Sequence, residues 1–290
     1  MYVYLHTMKG VICLSVYNNE FGLPYCLNNI AKLAQCFATF HIVVFYDESH
    51  DHSLHILDDF SLHNPINLTI IVNNNNNTKF ADRTANIAFA RNALLDYART
   101  RFAHYDYFIM MDTNDYSCIG DIQMDVFKDA IDKRDLWDAI SFNRDAGYYD
   151  TWALSFDPFI YSFFHFEDWK NVVEKMRIAF NSLLNDYKTN DPDKLIPVYS
   201  AFNGFAIYKT SMFLNCSYSS NIELDLFPTD SINKQVELMN VNVIPNLNND
   251  CEHRKFHLEA IKKNDAKIMI STKSLFAKFD NPPPNLRGPA

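Results

Sequence analysis

The chain is 290 residues long, 48% apolar and 15% aromatic, with a formal charge of −9 at neutral pH. That length accommodates one large α/β domain or two small ones, and the apolar content supplies a sizeable core. The acidic balance argues against a nonspecific nucleic-acid binder, which concentrates positive charge, but leaves room for an anionic small ligand neutralised locally.

Taken in chain order, residues 11–16 (VICLSV) read as a short buried strand, followed by the polar Asn18, Asn19 and Glu20. Residues 24–38 carry Leu27, Ile30, Ala31, Leu33, Ala34 and Phe37 at helical spacing. A second strand is predicted over 41–46 (HIVVFY), closed by Asp47 and Glu48, then a short helix over 54–60 and a third strand over 67–72. The asparagine run 73–77 reads as a loop. Residues 82–101 form the strongest helix, with Ile87, Ala90, Leu94 and Tyr97 recurring at three and four.

The most informative stretch follows. Residues 107–111 (YFIMM) are a continuous apolar run that ends in Asp112 and Asp115, three positions apart. Such a run bounded by polar turn formers predicts a strand buried on both faces. Acids at its C-terminal end stand where open α/β sheets place ligands. Two readings stay open: an acidic turn, or a carboxylate pair for a hard divalent cation that in turn holds a diphosphate.

A helix is expected around 121–133 and a strand over 139–143, followed by the aromatic segment GYYDTWAL, residues 147–154. An amphipathic helix is predicted over 169–187. Residues 199–208 (YSAFNGFAIY) look like a strand interrupted by Asn203 and Gly204. Residues 249–264 start as a loop and become a helix, and 267–270 form a last short strand. The alternation of strands and helices predicts a mixed, mostly parallel sheet with helices on both faces. Residues 1–279 are expected to form one domain, with 280–290 a proline-rich extended tail.

Several side chains are candidates for chemistry. Asp47 and Glu48 close one strand as Asp112 and Asp115 close another, so either could take hydrogen bonds from ribose hydroxyls or a base edge. Arg83 and Arg91, about two helical turns apart, share a face with Asn92 beside them. An arginine near a helix start reaches a phosphate with bidentate geometry. Asp150 stands among Tyr148, Tyr149 and Trp152, where a partly desolvated acid could orient hydroxyls or take a proton. His253 is a candidate ligand for a manganese-like ion, and it lies outside any HExxH pattern. The six cysteines form no CxxC pair and read as buried thiols. No segment approaches the roughly 20 apolar residues of a membrane span, and the first residues lack a secretory signal, which predicts a cytoplasmic protein.

The segments RTANIAFARN, YFIMMDTND, WDAISFNRDAGYYDTWAL, SAFNGFAIYK and CEHRKFH together resemble metal-dependent nucleotide-sugar glycosyltransferases of the GT-A (Rossmann-like) fold. The likeness is to a group found in large DNA viruses and fungi, which includes capsule-associated mannosyltransferase-like proteins. For a viral chain the expected location is the host cytoplasm. The resemblance implies that Asp112 begins a DxD-type motif in which Asn114 takes the second acidic place and Asp115 follows. By likeness to the DxxD enzymes that glycosylate collagen, it gives the metal role to Asp112, Asp115 and His253. It further implies Mn2+ or Mg2+ as cofactor, a UDP- or GDP-sugar donor, and a hydroxyl acceptor on a glycan or protein. Asn203 and Gly204 inherit a place near the donor sugar, and Asp150, with Glu252 second, the role of base. A non-catalytic carbohydrate- or nucleotide-binding descendant is the alternative, kept open by Asn114. A sugar nucleotidyltransferase ranks behind, because the loop VYNNEFGLP has one glycine and no lysine or arginine.

Overall fold

The computed structural model describes residues 7–74, 80–114, 117–145 and 147–277. The chain builds β1 (Lys9–Val16), α1 (Leu23–Ala34), β2 (Thr39–Asp47), α2 (Ser53–His63), β3 (Asn67–Asn73), α3 (Arg83–Arg101), β4 (Tyr107–Asp112) and α4 (Met124–Asp132). It continues with β5 (Ala139–Asn143), α5 (Trp169–Asn190), β6 (Leu195–Val198), β7 (Phe205–Lys209), α6 (Thr210–Phe213), α7 (Ser231–Met239), α8 (Glu252–Asn264) and β8 (Ile268–Ser274). The eight strands form a single sheet in the order β3-β2-β1-β4-β7-β5-β8-β6. Strands β3, β2, β1 and β4 run parallel, β7 enters antiparallel between β4 and β5, and β6 lies antiparallel on β8 at the far edge.

Alternation along each strand feeds two cores, one on each face of the sheet. In β4, Phe108 and Met110 join the cluster that holds Leu94, Phe180 and Phe256 of α3, α5 and α8. Tyr107, Ile109 and Met111 join the opposite cluster with Leu27, Leu57 and Phe127 of α1, α2 and α4. This is why the central strands read as unbroken apolar runs: both of their faces are covered. Helix α3 starts where it does because Asp82 is its N-cap, the carboxylate accepting from the Thr84 backbone N–H at 3.0 Å.

The expected strand over 199–208 is shorter than its apolar pattern. It begins only at Phe205, because Asn203 and Gly204 sit at positive φ, +57° and +87°, and turn the chain before the ladder starts. Strand β6 escaped notice because it is four residues long and contains Pro197. Proline removes a donor and is tolerated at this place because β6 is the sheet's edge. Helix α7 was also missed, and α4 starts later than its pattern, at Met124. Asn73 belongs to the end of β3 rather than to the loop expected over 73–77. Residues 75–79, Asp115 and the tail at 280–290 lie outside the described residues.

Candidate active site

The first four parallel strands end together, and their C-terminal residues open onto one cavity of about 620 Å3. Val16, Asp47, Asn73 and Asp112 line it from β1, β2, β3 and β4. Arg83, Thr84, Asn86 and Arg91 line it from α3, and Tyr149, Asp150 and Trp152 from the aromatic segment. Phe202, Glu252 and His253 complete the wall. The crevice lies where the ends of parallel strands put ligands in open α/β sheets.

The floor is charged and buried. The guanidinium of Arg91 donates through Nη2 to Asp112 Oδ1 at 2.9 Å, and through Nη1 to Glu252 Oε1 and to His253 Nε2. Its planar group also stacks over the Phe202 ring, 4.5 Å from the centroid. Phe202 in turn stacks on the His253 ring with centroids 3.9 Å apart. Burial pulls the Arg91 guanidinium toward neutrality, but Glu252 and Asp112 outweigh it and hold the charge firmly. Burial first, then Arg91 and His257, drives His253 well below the usual imidazole value, so the ring is neutral. Burial pushes the Asp112 carboxyl up, against the opposing pull of Arg91.

Asp150 stands opposite this floor. Its Oδ1 accepts from the Ala153 N–H at 3.2 Å and its Oδ2 from the Asn203 N–H at 3.4 Å. Desolvation pushes its carboxyl up to about 6, the Ala153 bond resisting and the Asp112 and Glu252 charges adding. A carboxylate that titrates near 6 is tuned for taking a proton at neutral pH. The rim is more open. Asp47 accepts from Asn73 Nδ2 at 3.0 Å, and Arg83 is exposed at the first turn of α3.

Of the sequence candidates, the structure brings together Asp47, Arg83, Arg91, Asp112, Asp150, Glu252 and His253 around one cavity. Four others stand away from its wall. Glu48 points to solvent beyond the strand end. Asn92 is spent on the Tyr218 backbone, donating to its O and accepting from its N–H, both at 2.9 Å. Asn203 is buried, its Oδ1 accepting from the Tyr149 and Asp150 N–H groups and its Nδ2 donating to Phe142 O at 2.9 Å. Gly204 lies against Ser117, where a Cβ would come within 2.5 Å of the serine Cβ. These two residues shape the segment that carries Asp150 and are not part of the cavity lining. Asn114 lines the cavity and also braces the loop after β4, its Oδ1 accepting from the Ser117 N–H at 2.8 Å. An amide oxygen suits this bond as well as a carboxylate. Asp115 lies outside the described residues.

Among the described residues, no three histidine, cysteine or acidic side chains gather as a ready metal site. The donor chemistry at the floor nonetheless fits a hard cation at one point. Asp112 keeps about a quarter of its side chain exposed, and among the described residues its Oδ2 meets Asn114 Nδ2 only in a long 3.5 Å approach. His253 is differently placed from the expectation: its Nε2 takes a hydrogen bond from Arg91, and its Nδ1 is buried without a partner among the described residues.

Sequence reasoning missed Asn73, Thr84, Asn86 and Phe202 as cavity residues. Asn73 and Thr84 carried a usable signal, since one ends a strand parallel to that of Asp47 and the other opens the helix of Arg83. Phe202 carried none, its position being set by the turn at Asn203 and Gly204.

The profile of glycosyl transferase family 2 matches residues 11–168, more than half of the chain and the part that builds the cavity's strand-end wall. Among solved structures, residues 1–349 of TarS from S. aureus in complex with UDP-GlcNAc share the fold with a TM-score of 0.50 and 16% identity, over 94% of this chain and 60% of that one. The mannosyltransferase PcManGT from Pyrobaculum calidifontis, in complex with GDP-Man and Mn2+, gives a TM-score of 0.44 and 14% identity over 84% and 56% of the two chains. The present chain thus spans about 60% of the length of that TarS structure. No curated protein matches it by sequence. No described helix is long and apolar enough to cross a membrane. The single mixed, mainly parallel sheet, the strand-end cavity and the matched profile together place the chain in glycosyl transferase family 2, with a GT-A fold.

Proposed function

We propose that the chain transfers a sugar from a nucleoside-diphosphate sugar, UDP-linked in preference to GDP-linked, to a hydroxyl of a glycan or protein acceptor. The observation that carries this is the convergence of Asp47, Arg83, Asp112 and Asp150 on one cavity at the ends of parallel strands. In this reading Asp47, steadied by Asn73, takes hydrogen bonds from the nucleoside, and Arg83 meets the diphosphate. Asp112, with Asp115, would hold a divalent ion, Mn2+ or Mg2+, and His253 would support that acid through Arg91. When bound, such an ion supplies Lewis-acid stabilisation of the departing diphosphate. Asp150 takes the proton of the attacking hydroxyl, the role for which its raised carboxyl is suited. Glu252, second candidate for that role, is ion-paired to Arg91 and serves better as an anchor of the floor.

One observation favours a second reading. Arg91 already lies among Asp112, Glu252 and His253, so a protein that binds nucleotide or carbohydrate without turnover would keep this floor intact. Calorimetric titration with UDP, with and without Mn2+, separates the two. Metal-dependent UDP binding together with hydrolysis of a UDP- or GDP-sugar supports the transferase. Binding that ignores the metal, with every nucleotide sugar left intact, supports the non-catalytic protein.

A further inference from the structure

Trp152, Phe164 and Trp169 form a continuous row of aromatic rings. Trp152, which lines the cavity, meets Phe164 with ring centroids 5.4 Å apart, and Phe164 meets Trp169 at 6.2 Å. Phe164 and Trp169 are 38% and 40% exposed. The row is held rigid from behind. Arg254, fully buried and paired with Asp250 at 2.8 Å, donates to Trp152 O at 2.7 Å. The segment bearing Phe164 is pinned by Ile244 N–H donating to His165 O at 2.8 Å and Glu167 N–H donating to Asn242 O at 3.0 Å.

We propose that this row is the acceptor track, and that the acceptor is a glycan chain several sugars long rather than a single sugar or a bare protein side chain. The inference rests on the transferase reading of the cavity and adds the acceptor's chemical class to it. Three features carry it. The row begins inside the cavity, two residues from Asp150, so a chain whose terminal hydroxyl meets that acid leaves over Trp152. The indole Nε1–H of Trp152 is buried and has no hydrogen-bond partner among the described residues, so the ring at the start of the row has donor capacity the fold leaves unused. The row is backed by buried Phe163 and flanked by exposed Glu167, Asp168 and Lys170, the last with its ammonium 5.7 Å from the Trp169 centroid. Rings bordered by charge suit the apolar face of a sugar with its equatorial hydroxyls outward, whereas a protein partner's apolar core requires a broader patch.

The test measures binding of manno-, xylo-, cello-, chito- and malto-oligosaccharides, from monomer to hexamer, to the full chain and to Phe164→Ala, Trp169→Ala and Trp169→Phe. UDP binding is titrated in parallel. The expected result is at least one series whose affinity rises with chain length. In that series F164A and W169A weaken the longer oligomers about tenfold, W169F restores most of the loss, and affinity for the shortest oligomers and for UDP stays unchanged. Length-independent binding, equal affinity in all variants, or no oligomer bound by the native chain overturns the proposal. A loss of UDP affinity in W169A equal to the glycan loss also overturns it, because the effect is then structural. Length-dependent glycan binding in a chain that binds no UDP leaves the track standing and removes the transferase reading instead.

Discussion

The floor and the rim of the cavity hold charges of similar number but opposite character. At the floor, Arg91 is buried among Asp112, Glu252, His253 and Phe202, and each of its partners is also held by the fold. At the rim, Asp47 and Arg83 stand partly or wholly in water, with Asn73 steadying only the acid. Removing one member of a buried ion pair strands the other without water, whereas an exposed charge is compensated by solvent. Floor residues should therefore act on folding and function together, and rim residues on ligand affinity alone.

The largest expected effect is at Arg91. Arg91→Ala leaves Glu252 and Asp112 buried against each other and should lower unfolding free energy by about 3–5 kcal/mol, read by chemical denaturation. A variant of undiminished stability breaks the contrast between floor and rim. Asp150→Asn should retain the fold and reduce turnover by about 10²–10⁴-fold. Because its carboxyl is raised to about 6 and must be ionised to accept a proton, native activity should fall as pH drops through that value. The variant's residual activity should lack that limb, and a limb that persists assigns the base elsewhere. Asp112→Asn should abolish the enhancement of UDP binding by Mn2+, measured calorimetrically, and an unchanged metal dependence removes this acid from the metal's site. At the rim, Arg83→Ala should weaken UDP by about tenfold with no change in stability. Asp47→Ala should have the smallest effect, a loss of about two- to fivefold in UDP affinity, since this acid already stands partly in water.

What the sequence disclosed follows the same division. Buried parallel strands must be apolar on both faces, so YFIMM and HIVVFY announced themselves, and the acids closing them marked the cavity. Helix α3 was legible from its spacing, and Arg83 and Arg91 could be placed on one face. The pairing of Arg91 with Glu252 spans 161 positions and left no local trace. The purpose of Asn203 was equally hidden: it ties together the backbone at Tyr149, Asp150 and Phe142, three points that only the folded sheet brings near. Edge strand β6 failed to register because proline is a breaker everywhere except at such a border.

Helix α3 carries Arg83 at its mouth and Arg91 eight residues further in, both on the same cavity. At about 1.5 Å per residue their backbone positions lie roughly 12 Å apart along the axis of one stiff rod. Inserting one residue between them would swing one arginine by about 100° around the axis, and deleting a whole turn would shorten the span while keeping the bearing. The spacing of these two arginines, one at the mouth and one in the floor, is thus set by backbone geometry rather than by the choice of side chain.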